Sequence, residues 1–180
     1  HQAWTEARLK NAQGVTDSLL PLFTGSKLYY SSMMTNHDRN RDSAYCTDAL
    51  ITIPSIMLET LAYSDTGKIE LLPALPDDWG KGSITGMMAR SRAQIERLDW
   101  DMEKGEVTAR IRSDAAQEID LSCGMDSSSA VILEGRGEII TGEGVVRLTM
   151  EEGETAEVRF VRGQISQGTY QIIAEDKSLE

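Results

Sequence analysis

Apolar positions change their period near the middle of the chain. Up to about residue 67 they recur at the three- and four-residue steps of helices. Beyond Ile69 they alternate with polar residues between Gly, Asp and Glu turns, the two-residue period of strands. A first helix is expected from about Gln2 to Asn11, then a break at Ala12-Gln13-Gly14. A short second helix follows from about Thr16, with Thr16 and Asp17 as caps and Leu19, Leu20 and Phe23 at helical spacing, although Pro21 suits only a first turn. A third helix ends near Tyr63, with Ile56, Met57, Thr60 and Leu61 on one face and Ser64-Asp65-Thr66-Gly67 as its stop. Pro54 sets its start near Thr52, which leaves Asp48 just ahead of it.

In the second half, Ala93 to Met102 and Glu106 to Ser113 flank the turn Glu103-Lys104-Gly105 and read as a hairpin. Further strands are expected at about Glu118 to Cys123, Ala130 to Glu134, Val145 to Met150, Ala156 to Val161 and Gln171 to Ala174. Gly135 and Gly137 mark a turn. Many short strands at this spacing predict an antiparallel sandwich, so the fold class is α+β, helices first and a β-domain after. Thr24 to Thr47 has few periodic signals. Long irregular connections inside compact domains tend to be functional, so chemistry is sought there.

Composition narrows the partners. The 180 residues carry a net charge of −11 and are 40% apolar, enough for a true core. Such acidity disfavours nucleic acid and anionic lipid. No apolar run approaches the roughly 20 residues of a membrane helix. Cys46 and Cys123 fit neither a disulfide framework nor a metal spacing and are expected to be free thiols. The opening HQAWTEARL looks like the interior of a helix that packs on something further, so an additional N-terminal part of the same protein is an expected partner.

The run YCTDALITIPSIMLETLAYSDTGKIELLPALPDDWGKGSITGMMARSRAQIERLDWD resembles the C-terminal part of glycoside hydrolase family 95, the inverting α-L-fucosidases. The matching residues are Asp48, Glu59, Leu61, Leu71 to Pro76, Trp79, Gly82, Gly86, Ala89 and Arg90, and HQAWTEARL is similar to a family helix with Trp-Ala-Arg-Leu character. The resemblance spans roughly residues 1 to 113. It implies that residues 1–67 are the last helices of an (α/α)₆ catalytic barrel and residues 68–180 a C-terminal β-sandwich, with the LLPALP linker clamping the helices. It also implies inverting hydrolysis of a terminal α-L-fucoside or related hexopyranoside, with Asp48 as the general base and no organic cofactor. Inversion needs the acid and base carboxyls roughly 6.5–9.5 Å apart, and the acid lies outside this sequence. The 180 residues alone are therefore expected to be inactive. The family's Gly-Asn-Phe-Gly-like run after the base is replaced here by Ala49-Leu50-Ile51-Thr52, and its His-Pro-Pro-Phe-Gln-like run before it by Asp42 to Thr47, which implies an altered pocket wall.

Read as residues alone, Asp48 also fits a helix cap. His37 and Asn36, with Asp38 and Arg39, suit directional hydrogen bonds to sugar hydroxyls or a plain exposed loop. Tyr45 offers a ring face to a pyranose, or packing. No metal is assigned, because one His among acids lacks ligand spacing. Glu59 reads as a structural acceptor or a solvated side chain, and Trp79 and Trp100 as packing residues. A rival function is a non-catalytic β-sandwich module that binds glycans or serves as an accessory domain, which calls for exposed aromatic residues on one sheet face.

Overall fold

The structure is a computed structural model and describes residues 1–24, 28–29, 34–35, 47–125, 128–140 and 144–162. Two short helices open the chain, α1 (Gln2–Arg8) and α2 (Ala12–Thr24). The break between them falls at residues 9–11 rather than at Ala12-Gln13-Gly14. There the Lys10 amide donates to the Ala7 carbonyl and the Asn11 amide to that of Glu6, with Lys10 in the left-handed region at φ 61°. This is the pattern of a helix closed by two crossed hydrogen bonds, here without the usual glycine. Asn11 Oδ1 then accepts from the Gly14 amide at 3.1 Å, so Asn11 starts α2 where Thr16 was expected to. Pro21 lies inside α2.

Two strands of two residues each, β1 (Leu28–Tyr29) and β2 (Met34–Thr35), pair antiparallel within the stretch read as an irregular connection. The third helix, α3, runs from Thr47 to Leu61, five residues earlier than expected. Pro54 removes only its own donor, to the Leu50 carbonyl; the amides of Ile51, Thr52 and Ile53 remain free to close the turn ahead of it. Asp48 thus lies within the first turn of α3, not before the helix. Ala3, Ala7, Val15, Leu19 and Ile56 form a small core between the three helices, with Trp4 and Ile53 against it.

The chain passes from α3 straight into β3 (Ala62–Asp65), turns at Thr66-Gly67 and returns as β4 (Lys68–Leu71). The residues read as a helix stop are therefore a hairpin, with Gly67 at φ 67°. After the seam come β5 (Lys81–Ala89), β6 (Ala93–Asp101), β7 (Glu106–Ser113), β8 (Gln117–Cys123), β9 (Ser128–Glu134), β10 (Arg136–Ile140), β11 (Val145–Met150) and β12 (Thr155–Arg162). With β3 and β4 they form two five-stranded sheets, ordered β10-β11-β8-β4-β3 and β5-β6-β7-β12-β9. The chain changes sheet at Gly135 (φ 97°), whose missing Cβ would stand 2.8 Å from that of Ala156. Gly137 belongs to β10, not to the turn. The expected strand at Gln171 to Ala174 lies outside the described residues.

One continuous core joins the inner faces. Ile69, Leu71, Ile119, Leu121, Val146 and Leu148 meet Ile95, Leu98, Val107, Ile111, Val158 and Phe160, all at most 1% exposed. Burying each such side chain contributes about 1.5–3 kcal/mol, which makes this face-to-face packing the main support of the fold. The architecture is a β-sandwich, as expected, but not wholly antiparallel: β4 pairs in parallel with β8, Ile69 opposite Leu121. Trp100 packs inward over Gly82 and donates through Nε1 to the Trp79 carbonyl at 2.6 Å, so both tryptophans serve packing.

Candidate functional site

The residues of the LLPALP seam solve a problem set by the end of α3. A helix leaves its last carbonyls without partners, and no glycine cap is available because the chain continues directly into β3. The Leu72 amide donates to the Leu61 carbonyl at 2.8 Å and the Ala74 amide to that of Thr60 at 3.4 Å. Leu72 takes a left-handed φ of 51° to bend the seam back onto the helix. On the other side the Gly124 amide donates to Leu71 O at 2.8 Å, so the seam is held between α3 and the end of β8.

An ionic cluster stands beside it. Glu59, on the last turns of α3, has a side chain only 13% exposed. Its Oε1 accepts from Nη2 of Arg8 at 2.9 Å and from Nη2 of Arg90 at 3.0 Å, while Oε2 lies 2.7 Å from Nε of Arg8. The bond from Glu59 raises the Arg8 pKa above its ordinary value. Arg8 also covers the Tyr63 ring, 5.1 Å from its centroid. Arg90 sits in the turn between β5 and β6, and its amide donates to Ser64 Oγ at 2.8 Å. One carboxylate thus joins α1, α3 and the sandwich, as the structural-acceptor reading of Glu59 anticipated. Lys10 adds a second tie, its Nζ 2.6 Å from the buried carboxylate of Glu70 on β4.

Next to the seam, Lys10, Leu72 to Asp77, Met102, Gly124 and Arg162 line an open cleft of about 340 Å³. It lies at the opposite end of α3 from Asp48. Among the described residues Asp77 is its only acid, so those residues supply no carboxyl pair of the kind glycoside hydrolysis requires. The described residues contain no cluster of three His, Cys, Asp or Glu side chains fit for a metal. No described helix is long and apolar enough to cross a membrane. Cys123 is a free thiol, and burial pushes it up to about 11; Cys46 lies outside the described residues.

Of the predicted site residues, only the backbone of Asp48 is described, in the first turn of α3. Its side chain, and Tyr45, His37 and Asn36 altogether, lie outside the described residues. The Arg8–Glu59–Arg90 cluster was not predicted as a unit. Its members are separated by 51 and 31 positions, which no periodic signal spans.

The described residues define a β-sandwich module fastened by its first strands to the end of a helical segment. Residues 63–165 match the family described as glycoside hydrolase family 95, C-terminal domain, and the chain belongs to that family. It thus carries a domain of the kind associated with glycoside hydrolases. Among solved structures it is similar to a GH127 β-L-arabinofuranosidase from Geobacillus stearothermophilus T6, at 11% identity and a TM-score of 0.42. That match covers 86% of this chain and only 28% of the arabinofuranosidase. No curated protein matches by sequence.

Proposed function

We propose that this chain is the C-terminal portion of an inverting glycoside hydrolase acting on a terminal α-L-fucoside or related hexopyranoside, with Asp48 as general base. Family membership across residues 63–165 carries the reading. In it, residues 1–61 complete an (α/α)₆ barrel whose earlier helices, and whose catalytic acid, lie in a preceding part of the same polypeptide; the expected boundary at 67/68 shifts because β3 belongs to the sandwich. Residues 62–180 buttress that barrel. Asp48 takes a proton from the attacking water, while Tyr45, His37 and Asn36 face the sugar.

The rival glycan-binding module draws no support from the described surface. The exposed large apolar residues are Leu9, Leu20, Ile51, Leu58, Met88, Val131, Leu133 and Ile139, none of them aromatic.

The test is hydrolysis of aryl α-L-fucoside and α-L-galactoside by the whole polypeptide, with product anomer followed by NMR. We expect inversion, and a loss of kcat on the order of 10²–10⁴-fold in Asp48→Asn, the usual worth of a general base. Undiminished turnover in Asp48→Asn would discard the assignment. The 180 residues alone are expected to be inactive.

A further inference from the structure

Asp48 and Glu59 ride on one helix, eleven positions apart, which at 1.5 Å per residue is about 16 Å. The Glu59 end is fixed from three directions. Arg8 grips it from α1, Arg90 grips it from the β5–β6 turn, and the amides of Leu72 and Ala74 hold the last carbonyls. The small core at Ile53 and Ile56 supports the helix midway. Toward Asp48, α3 packs against β2 and presents Ile51 at 71% exposure. Because α3 is one rigid rod, the angle set at its Glu59 end also places its first turn. A pivot of about 5° at Glu59 moves a point 16 Å away by about 1.4 Å.

An ion cluster is an unusual means of holding a helix end if stability alone is needed. Glu59 is largely buried, but Arg8 and Arg90 stay 40% and 54% exposed, and ion pairs to such solvated partners add little stability. What the cluster adds is direction: a fork of guanidinium donors accepts a carboxylate only in a narrow range of orientations.

We propose that Glu59 is a positioning residue for Asp48, and that Arg90 makes the sandwich the part that sets the angle of α3 and so aims the base at its water. The sandwich then acts on turnover without touching substrate. This rests on the reading of Asp48 as general base.

The experiment uses the whole polypeptide and an aryl glycoside that it cleaves. kcat and KM are measured for wild type, Asp48→Asn, Glu59→Gln, Arg90→Lys, Arg90→Gln and the double variant Asp48→Asn/Glu59→Gln, with thermal unfolding for each. Misplacing a catalytic group by about 1 Å costs up to roughly a hundredfold, so Glu59→Gln should lower kcat about ten- to a hundredfold while KM stays within about twofold. Arg90→Lys should retain more kcat than Arg90→Gln. The double variant should be no slower than Asp48→Asn, because a base that is absent cannot be misaimed.

Wild-type kcat in Glu59→Gln, or losses that multiply in the double variant, would overturn the inference. Should Glu59→Gln fail to fold, Arg90→Gln decides, since it removes the ion pair at a half-exposed position: a fall in kcat at unchanged KM supports the inference and full kcat overturns it. If Asp48→Asn itself keeps full activity, the base assignment fails and the inference fails with it. That result differs from an inactive Asp48→Asn beside a normal Glu59→Gln, which sinks the positioning role alone.

Discussion

Cys123 ends β8 beside the seam, packed against the sandwich core. Burial favours the neutral thiol, and the nearby Glu70 carboxylate works in the same direction. With its pKa pushed up to about 11, almost none of it is thiolate at pH 7. In a Cys46→Ser background, labelling by a disulfide reagent should be slow in buffer and fast in denaturant. Rapid labelling of the folded protein would mean that the end of β8 opens readily. The pairing state of this residue was legible from spacing alone, since two cysteines in segments of different character offer no framework. The ionic partners of Glu59 were not legible. Nothing along the chain ties position 59 to positions 8 and 90 until α3, β3 and the β5–β6 turn are brought together.

Among the elements, those with strict alternation were readable nearly to the residue. β7 (Glu106–Ser113) and β11 (Val145–Met150) have the expected limits, and their inward positions are fully buried. β10 escaped because every position from Arg136 to Ile139 is exposed, so it shows no alternation to read. β3 escaped because the chain moves from helix to strand with no intervening turn signal. The early start of α3 is hidden in the sequence because Pro54 ordinarily marks a first turn, whereas here the helix continues through it despite the lost donor and the crowded carbonyl four residues back.

The seam offers a sharper test of element packing. A Cβ at position 124 would fall 2.4 Å from Leu72 O and 3.2 Å from Pro73 Cα, both backbone atoms. Gly124→Ala therefore cannot be absorbed by a rotamer change, and should cost about 1–3 kcal/mol in urea unfolding. A value near zero would show that the Gly124–Leu71 hydrogen bond is not what holds the seam.

At the scale of the molecule, the outer faces carry carboxylates whose partners keep them ionised. Hydrogen bonds from Arg97 lower Asp99, the Lys104 amide and Lys81 lower Asp101, Arg147 lowers Asp120 and Arg136 lowers Glu154. A folded-state pKa below the unfolded value adds stability that is present above the unfolded pKa, about 4 for these groups, and lost as pH falls through the folded value. Stability should therefore be level from pH 7 to about 5 and decline below about 4. Arg147→Gln lets Asp120 return toward its ordinary range. Its deficit against wild type should be present at pH 7 and vanish in strong acid, and a deficit that persisted at pH 2 would point to lost packing instead.

The parallel pairing of β4 with β8 also sets an order of events during synthesis. β4 leaves the ribosome with β3 as a neighbour, but its other edge waits some fifty residues for Gln117–Cys123 to emerge. Until then Gly124 is missing as well, and the apolar side chains of Leu71 and Leu72 have nowhere to go. The end of α3 is thus among the last places to be secured, although it is made in the first third of this sequence. A nascent chain stalled before β8 would display that apolar stretch to chaperones, and any part of the protein that depends on the angle of α3 must wait for translation of the sandwich to finish.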